Sequence, residues 1–279
     1  MHFSVCHQTH YRYSAPVTLA AHRLRLAPRA DGVVLRTHRL TIDPVPAIRK
    51  DMTDRYGNPL TRVEFEGPSG HLRIESRFDL ETRSAPPAVP ALPRLPWPSG
   101  VSEAMTDYLP PADHDETVRA FAAGLAAESG WEVVAFLDHL NQTLFTRTNR
   151  SIRSEGAAQA AAHTLATGRG ACRDLTVLFM TACRSLGIAA RFVSGYQARA
   201  ETPDGRRHLH AWAEVFLPGS GWYGFDPMHG LPVTDGHVAL CAAPDQASTM
   251  PVEGGYYGDG VTSTLTYDVR ITVAVPEEA

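Results

Sequence analysis

The sequence predicts an α+β protein: an N-terminal β-sandwich followed by a domain that runs from helices into strands. Three observations carry that reading. The first 83 residues alternate apolar and polar side chains with period 2, a proline-rich break follows, and from about residue 113 apolar residues recur at helical spacing before strands return.

The β-rich start is justified segment by segment. Phe3, Val5, His7, Thr9, Tyr11 and Tyr13 fall on one face of an extended segment, as do Leu72, Ile74, Ser76, Phe78 and Leu80, while Val63 and Phe65 make a shorter strand. Turn signals separate them at Asp31-Gly32, Tyr56-Gly57-Asn58-Pro59 and Gly67-Pro68-Ser69-Gly70. Short strands with regular punctuation predict a β-sandwich over residues 1–83.

Six prolines lie between Ser84 and Pro98. Proline has no N–H and a fixed φ, which bars this stretch from a central strand or a helix interior. Residues 84–112 therefore read as a semi-rigid, extended linker.

The second domain is expected over residues 113–279. Val118, Phe121, Ala122 and Leu125 sit at helical spacing, and so do Val133, Phe136, Leu137, Leu140 and Leu144. The alanine-rich stretch Ala157 to Thr167 predicts a helix closed by Gly168. Another helix starts at Cys172 and closes at Gly187. Ala190 to Tyr196, His210 to Leu217 and Trp222 to Asp226 read as strands. The strict alternation of Leu265, Tyr267, Val269, Ile271, Val273 and Val275 predicts a long last strand, free to pair with either domain.

Composition narrows the function classes. The 279 residues carry 26 Lys and Arg against 30 Asp and Glu, a net charge of −4, which argues against a nucleic-acid or anionic-membrane partner. No apolar run approaches the ~20 residues of a membrane span. Met1 to Cys6 lacks the basic start and apolar stretch of a signal peptide. The four cysteines, Cys6, Cys172, Cys183 and Cys241, form no Cys-x-x-Cys pair. A disulfide framework and a zinc ribbon are not expected, and the expected location is the cytoplasm.

One cysteine stands apart. Cys172 follows Gly168-Arg169-Gly170-Ala171 in the first turn of a predicted helix. Amide N–H groups and the helix dipole favour negative charge there, and the thiolate is the nucleophilic form of cysteine. A buried packing cysteine at a helix start remains an alternative. A thiolate also needs a base, and the base an orienting partner. His208, His210, Trp212 and Glu214 share one face of a predicted strand, but Glu214 lies about 13 Å along the strand from His210, too far to orient it. The next strand ends in Asp226. Pairing Phe216 with Trp222 puts Asp226 opposite Trp212, with His210 its diagonal neighbour on the same face. Pairing Leu217 with Trp222 would put Asp226 on the wrong face. The first register is expected.

These blocks, Gly170-Ala171-Cys172-Arg173-Asp174, Leu186 to Tyr196, His210 to Val215 and Gly221 to Pro227, resemble the bacterial transglutaminase-like superfamily. Tyr11-Arg12-Tyr13, Pro16-Val17, Arg25-Leu26-Ala27-Pro28 and Asp54-Arg55-Tyr56-Gly57-Asn58 resemble the β-domain that accompanies it. The resemblance implies a papain-like transglutaminase core and a cysteine peptidase or amidase. It implies Cys172 as nucleophile, His210 as general base and then acid, and Asp226 as the residue that orients His210. Two positions depart from the family pattern: Leu175 where an aromatic residue is usual, and Met228-His229 where Thr-Asn is usual.

The expected reaction is thiol-dependent acyl transfer to water, with a peptide, protein or small amide as substrate and no cofactor. Transamidation uses the same residues, and a non-catalytic binding module is the reading from another class. The His208-x-His210 pair lacks a third ligand at recognisable spacing, so no metal is expected. Asp174 reads as an anchor for the cysteine loop, and Cys183 as a packing residue. A second oxyanion donor is sought among Gln142, Asn149 and Gln159. Gly254 to Gly260 reads as a connecting loop or a rim over the cleft. Oligomeric state is not fixed by the sequence.

Overall fold

The computed structural model describes residues 1–83, 91–98, 103–109, 115–151, 153, 156–199, 207–274. The chain begins with β1 (His2–Leu19), β2 (His22–Leu24), β3 (Val33–Asp43), β4 (Ile48–Thr53), β5 (Pro59–Glu64) and β6 (Pro68–Thr82). Helices α1 (Glu116–Glu128) and α2 (Val133–Arg147) follow, then β7 (Asn149–Arg150), α3 (Ala161–Thr167), β8 (Arg169–Gly170) and α4 (Cys172–Ser185). The chain then runs through β9 (Ala190–Gln197), β10 (His210–Leu217), β11 (Gly221–Asp226), β12 (Leu231–Pro232) and β13 (His237–Ala243). It ends with β14 (Val252–Glu253), β15 (Tyr256–Tyr257) and β16 (Ser263–Ala274). The fold is α+β, as the patterning predicts.

Two antiparallel sheets form the N-terminal sandwich. The first has the order β15-β1-β6-β3, with β16 also paired to β1, and the second β14-β2-β5-β4. Leu24 and Val63 of the second sheet pack on Val17, Leu72 and Ile74 of the first. β16 runs antiparallel to β1 from His2↔Ala274 to Tyr13↔Ser263. The end of the chain, which alternation marks only as a strand, is thus hydrogen-bonded into the sheet that its beginning forms.

The third sheet, β12-β11-β10-β9-β13, is antiparallel throughout. Helix α4 packs on it and α1 and α2 pack on α4, in one apolar core around Phe136, Leu140, Phe179, Ala213 and Phe225. Phe179 stacks on Phe225 at 5.4 Å between ring centres, which ties α4 to β11.

One face of the first sheet serves two partners. Leu72 and Ile74 face the sandwich interior, whereas Phe3, Val5, Phe78 and Leu80 on that face pack on Tyr196, Val238 and Leu240 of the third sheet. His7 and Tyr196 share a buried hydrogen bond of 2.7 Å across this junction. Asn58 makes a second junction: its amide donates to the Ala242 carbonyl and accepts from the Ala242 N–H.

Two expected elements differ. The described part of the proline-rich stretch, residues 91–98, is docked rather than extended: Leu95 and Trp97 are buried in the helical core. Their N–H groups donate to Trp131 O and Leu186 O, both at 2.9 Å. Gly187, at φ 84°, lies so close that a Cβ would sit 2.4 Å from the Trp97 carbonyl oxygen. Residues 84–90 lie outside the described residues. The helix expected from Ala157 begins only at Ala161. The extended backbone before it is used by other side chains: Gln159 N–H donates to Asp174 Oδ1 and Ala158 N–H to Gln246 Oε1.

Candidate active site

The loop before α4 places Cys172. Gly168 ends α3 in the left-handed region at φ 59°, which glycine adopts without penalty. Arg169-Gly170 then pairs in parallel with Asn149-Arg150. Gly170 packs tightly here: a Cβ would lie 3.0 Å from that of Asp174 and 3.2 Å from Thr164 Cγ2. Ala171 O accepts from the N–H groups of Asp174 and Leu175, so the helix starts at Cys172. Asp174 closes the turn from within. It is fully buried, and it accepts from Ala171 N–H at 2.8 Å, Gln159 N–H at 2.8 Å and Arg153 Nη2 at 2.6 Å. The anchoring role expected for Asp174 is what these bonds perform. The Cys172 thiol sits half-buried in the first turn.

The β10–β11 hairpin places the other two residues. Phe216 pairs with Trp222, the register that brings Asp226 and His210 to one face. His210 Nε2 lies 2.9 Å from Asp226 Oδ2, with both side chains buried. Trp212 stacks near His210 at 6.3 Å. Its ring is seated against Gly195, where a Cβ would fall 2.7 Å from the indole. Glu214 is engaged elsewhere, with Arg191 Nε at 2.7 Å.

Asp226 collects more than one imidazole. His229 Nδ1 lies 2.9 Å and His237 Nε2 3.2 Å from the same Oδ2, while Met228 N–H donates to Oδ1 at 3.0 Å. Burial alone would raise this carboxyl, but the His210 imidazole and the hydrogen bonds from all three histidines override it and hold it well below the usual range. An ionised carboxylate only accepts, so each ring nitrogen facing it carries a proton. That fixes His210 as the Nε2–H tautomer when neutral, with Nδ1 as its basic nitrogen. Burial lowers His237, with Asp226 acting in the opposite sense. Sequence reading missed His237, because β13 carries no alternation, and noted His229 only as a departure from a family pattern.

Donor atoms of His210, Asp226 and His229 lie within 4.8 Å of one another, close enough to suggest a metal site. The two imidazoles nevertheless point at one carboxylate oxygen at hydrogen-bond distance, and a hydrogen-bonded cluster accounts for the arrangement. His208 is not one of these three residues; it lines the cavity that Cys172 opens into.

Cys172 opens into a cavity of about 220 Å³ at the junction of sandwich and core. His208 and Leu209, which lead into His210, and Met228, two residues after Asp226, line it too. The opposite wall is the sandwich: Tyr11 of β1 with Leu265 and Tyr267 of β16. No single segment of the sequence shows that wall. Met250 to Val252 form the rim instead of Gly254 to Gly260. Within that glycine-rich run, Tyr256 and Tyr257 pair with the end of β1 at the sandwich edge. Gln142 donates to the Gly230 carbonyl, and Gln159 Oε1 accepts from Thr164, so both side chains have structural partners. Neither these nor Asn149 lines the cavity. Cys183 is fully buried within the helical core.

Residues 3–81 match the bacterial transglutaminase-like N-terminal region, and residues 119–227 match the transglutaminase-like superfamily core. The chain belongs to the transglutaminase-like superfamily. An uncharacterised protein of Mycobacterium tuberculosis is 31% identical over 295 residues, covering 96% of this chain and 92% of its own. One of Mycobacterium leprae is 27% identical over 283 residues, covering 96% and 97%. Among solved structures, a candidate cysteine protease from Cytophaga hutchinsonii superposes with a TM-score of 0.75 at 17% identity, over 100% of this chain and 92% of that one, and so shares its fold.

Proposed function

We propose that the protein is a thiol-dependent acyl-transfer enzyme that hydrolyses an amide bond in a peptide, isopeptide or small amide. The observation that carries the reading is the buried His210–Asp226 pair, whose chain neighbours His208, Leu209 and Met228 line the cavity into which a helix-start cysteine opens. His210 Nδ1 takes the proton of the Cys172 thiol, and the thiolate attacks the carbonyl carbon. Backbone N–H groups in the first turn of α4 hold the oxyanion. The tetrahedral intermediate collapses with cleavage of the C–N bond, and His210 returns the proton to the leaving amine. Water, deprotonated by His210, then attacks the thioester and releases the acid and the thiol. Water is the acceptor we favour because it needs no second binding site.

The test is the rate of Cys172 alkylation by iodoacetamide between pH 5 and 9, read by intact mass. Cys172 should be the single fast site, and His210→Ala should slow it at least tenfold near pH 6. Reaction no faster than at Cys6, with no effect of His210→Ala, would overturn the reading. Turnover of an amide in ¹⁸O-water, with and without a primary amine, then reads the acceptor. One ¹⁸O in the released acid means hydrolysis, whereas conversion only with the amine would mean transamidation.

A further inference from the structure

The face that β1 and β16 present to the core changes character along its length. Val5↔Ile271 is buried against the third sheet, and the face then opens through Thr9↔Tyr267 and Tyr11↔Leu265. At that end Leu265 is 50% and Tyr267 43% exposed, and Met250 across the cavity is 44% exposed. Scattered apolar residues on a surface need no explanation, but a cluster does. Nine large apolar side chains are exposed among the described residues, and three of them converge on the cavity that holds Cys172. The apolar choice is not a property of the strand as a whole. Thr264, Thr266, Asp268 and Arg270, which point the other way on β16, are all polar.

We propose that this cavity takes an uncharged apolar acyl group, aromatic or branched, seated on the sheet face of Tyr11, Leu265 and Tyr267. The proposal rests on Cys172 being the nucleophile, and it names the acyl donor that the nucleophile meets. The volume of about 220 Å³ suits such a group, since a cavity of roughly 150 Å³ already holds benzene. The two arginines at the cavity are engaged with the protein. Arg153 bonds Asp174 and the Ala157 carbonyl, and Arg173 donates to the Arg153 carbonyl. The substrate wall therefore comes from the sandwich and the nucleophile from the core, so that the sandwich selects the acyl group.

The test uses S-trifluoroethyl thioesters, whose small leaving group is not aromatic. Cys172 attacks the carbonyl carbon, its new C–S bond replaces the old one, and trifluoroethanethiolate departs. Acylation of the full chain is read by intact mass for acetyl, succinyl, 4-methylpentanoyl and 3-phenylpropanoyl esters, each normalised to its rate with glutathione. The expected result is a preference of at least tenfold for the two apolar groups over acetyl and succinyl, the discrimination an apolar pocket gives per small group. Leu265→Thr and Tyr267→Thr keep the strand propensity and should move the ratios toward those of glutathione. Tyr267→Arg should shift preference toward succinyl. A Cys172 that reacts with iodoacetamide but shows the ester ratios of glutathione overturns this proposal alone. Wild-type preference retained in all three variants does the same. A Cys172 inert to both reagents overturns the thiol reading and this proposal with it.

Discussion

Asn58 and Ala242 are 184 residues apart in sequence and joined by two hydrogen bonds: Asn58 Nδ2 donates to Ala242 O at 2.9 Å, and Ala242 N–H donates to Asn58 Oδ1 at 2.8 Å. Asn58 is fully buried, and Asp54 Oδ2 and Arg29 bond the same amide. The loop of the sandwich thereby acts as an extra strand position beside β13 of the core. With the His7–Tyr196 bond and the apolar packing of β1 and β6 on the third sheet, the bond pair helps hold the sandwich, which carries one cavity wall, against the core, which carries the thiol.

Asn58→Ala should therefore cost about 2–4 kcal/mol, since it strands a buried peptide N–H, a carbonyl and part of a guanidinium. Urea unfolding gives the value. Asn58→Asp restores one acceptor but puts a carboxylate against the Ala242 carbonyl, so it should rescue little. A loss below about 0.5 kcal/mol for Asn58→Ala would show that the junction is held elsewhere.

His7 gives the junction a pH dependence. Burial lowers its imidazole to about 4 from the usual 6.5, so the folded protein keeps it neutral while the unfolded chain takes up a proton. Between those values the unfolded state binds more protons, and stability rises with pH. The stabilisation is complete above about 6.5 and falls away as pH drops toward 4. At pH 5 the expected cost is about 2 kcal/mol, from 1.36 kcal/mol per pH unit. His7→Gln should flatten the slope of unfolding free energy against pH between 4.5 and 6.5. An unchanged slope would move the acid sensitivity to another group.

Elements with one buried face were legible from the sequence, and elements without one were not. β1 and β6 alternate because their odd and even residues meet different media. β4 is exposed along its whole length, and β9 and most of β13 are buried on both faces, so alternation is weak or absent. β9 is nonetheless expected, as a strand over Ala190 to Tyr196. The hairpin register could be deduced because only one choice places Asp226 and His210 together. The cavity wall could not, because it depends on β16 returning to β1 across more than 240 residues of chain. Nothing in a local pattern encodes that pairing.

Asp226→Asn tests whether the carboxylate sets the tautomer of His210. An amide presents an N–H₂ to one or more of the three imidazoles, and the proton of His210 then moves to Nδ1. An Nδ1–H imidazole cannot accept the thiol proton. Acylation of Cys172 should fall by about 10⁴, the scale of the matching change in a serine triad. Circular dichroism and the unfolding midpoint separate this from a folding defect. A drop smaller than tenfold in a folded variant would remove Asp226 from the mechanism.

Gly195 faces His210 across the β9–β10 ladder. A methyl group at Gly195 would lie 2.2 Å from the Val238 carbonyl oxygen and 2.7 Å from the Trp212 ring. Backbone cannot yield cheaply on one side, so the indole must move, and it stacks beside His210. Gly195→Ala should cost about 2–3 kcal/mol as overpacking. The same shift should slow Cys172 alkylation at pH 6 by disturbing the imidazole. Trp212→Phe on the Gly195→Ala background should recover part of the stability by removing the colliding ring edge. Failure of that rescue would assign the loss to β13.

Asp174 anchors the loop that carries Cys172, the proposed nucleophile, and its substitution should separate geometry from chemistry. Its two oxygens hold the N–H groups of Ala171 and Gln159 and the Arg153 guanidinium, three donors from three segments around one turn. Asp174→Ala leaves all three without that acceptor; the partly exposed Arg153 can turn to water, but two backbone N–H donors are stranded, and the expected cost is about 2–4 kcal/mol. Asp174→Asn keeps one acceptor and the side-chain volume, and should cost less. Both variants should slow thioester acylation by loosening the loop that aims Cys172. Neither should shift the pH at which iodoacetamide alkylation rises, because the His210–Asp226 pair is untouched. If Asp174→Asn instead moves that pH midpoint while leaving stability intact, then Asp174 acts on the thiol electrostatically and not through the loop it anchors.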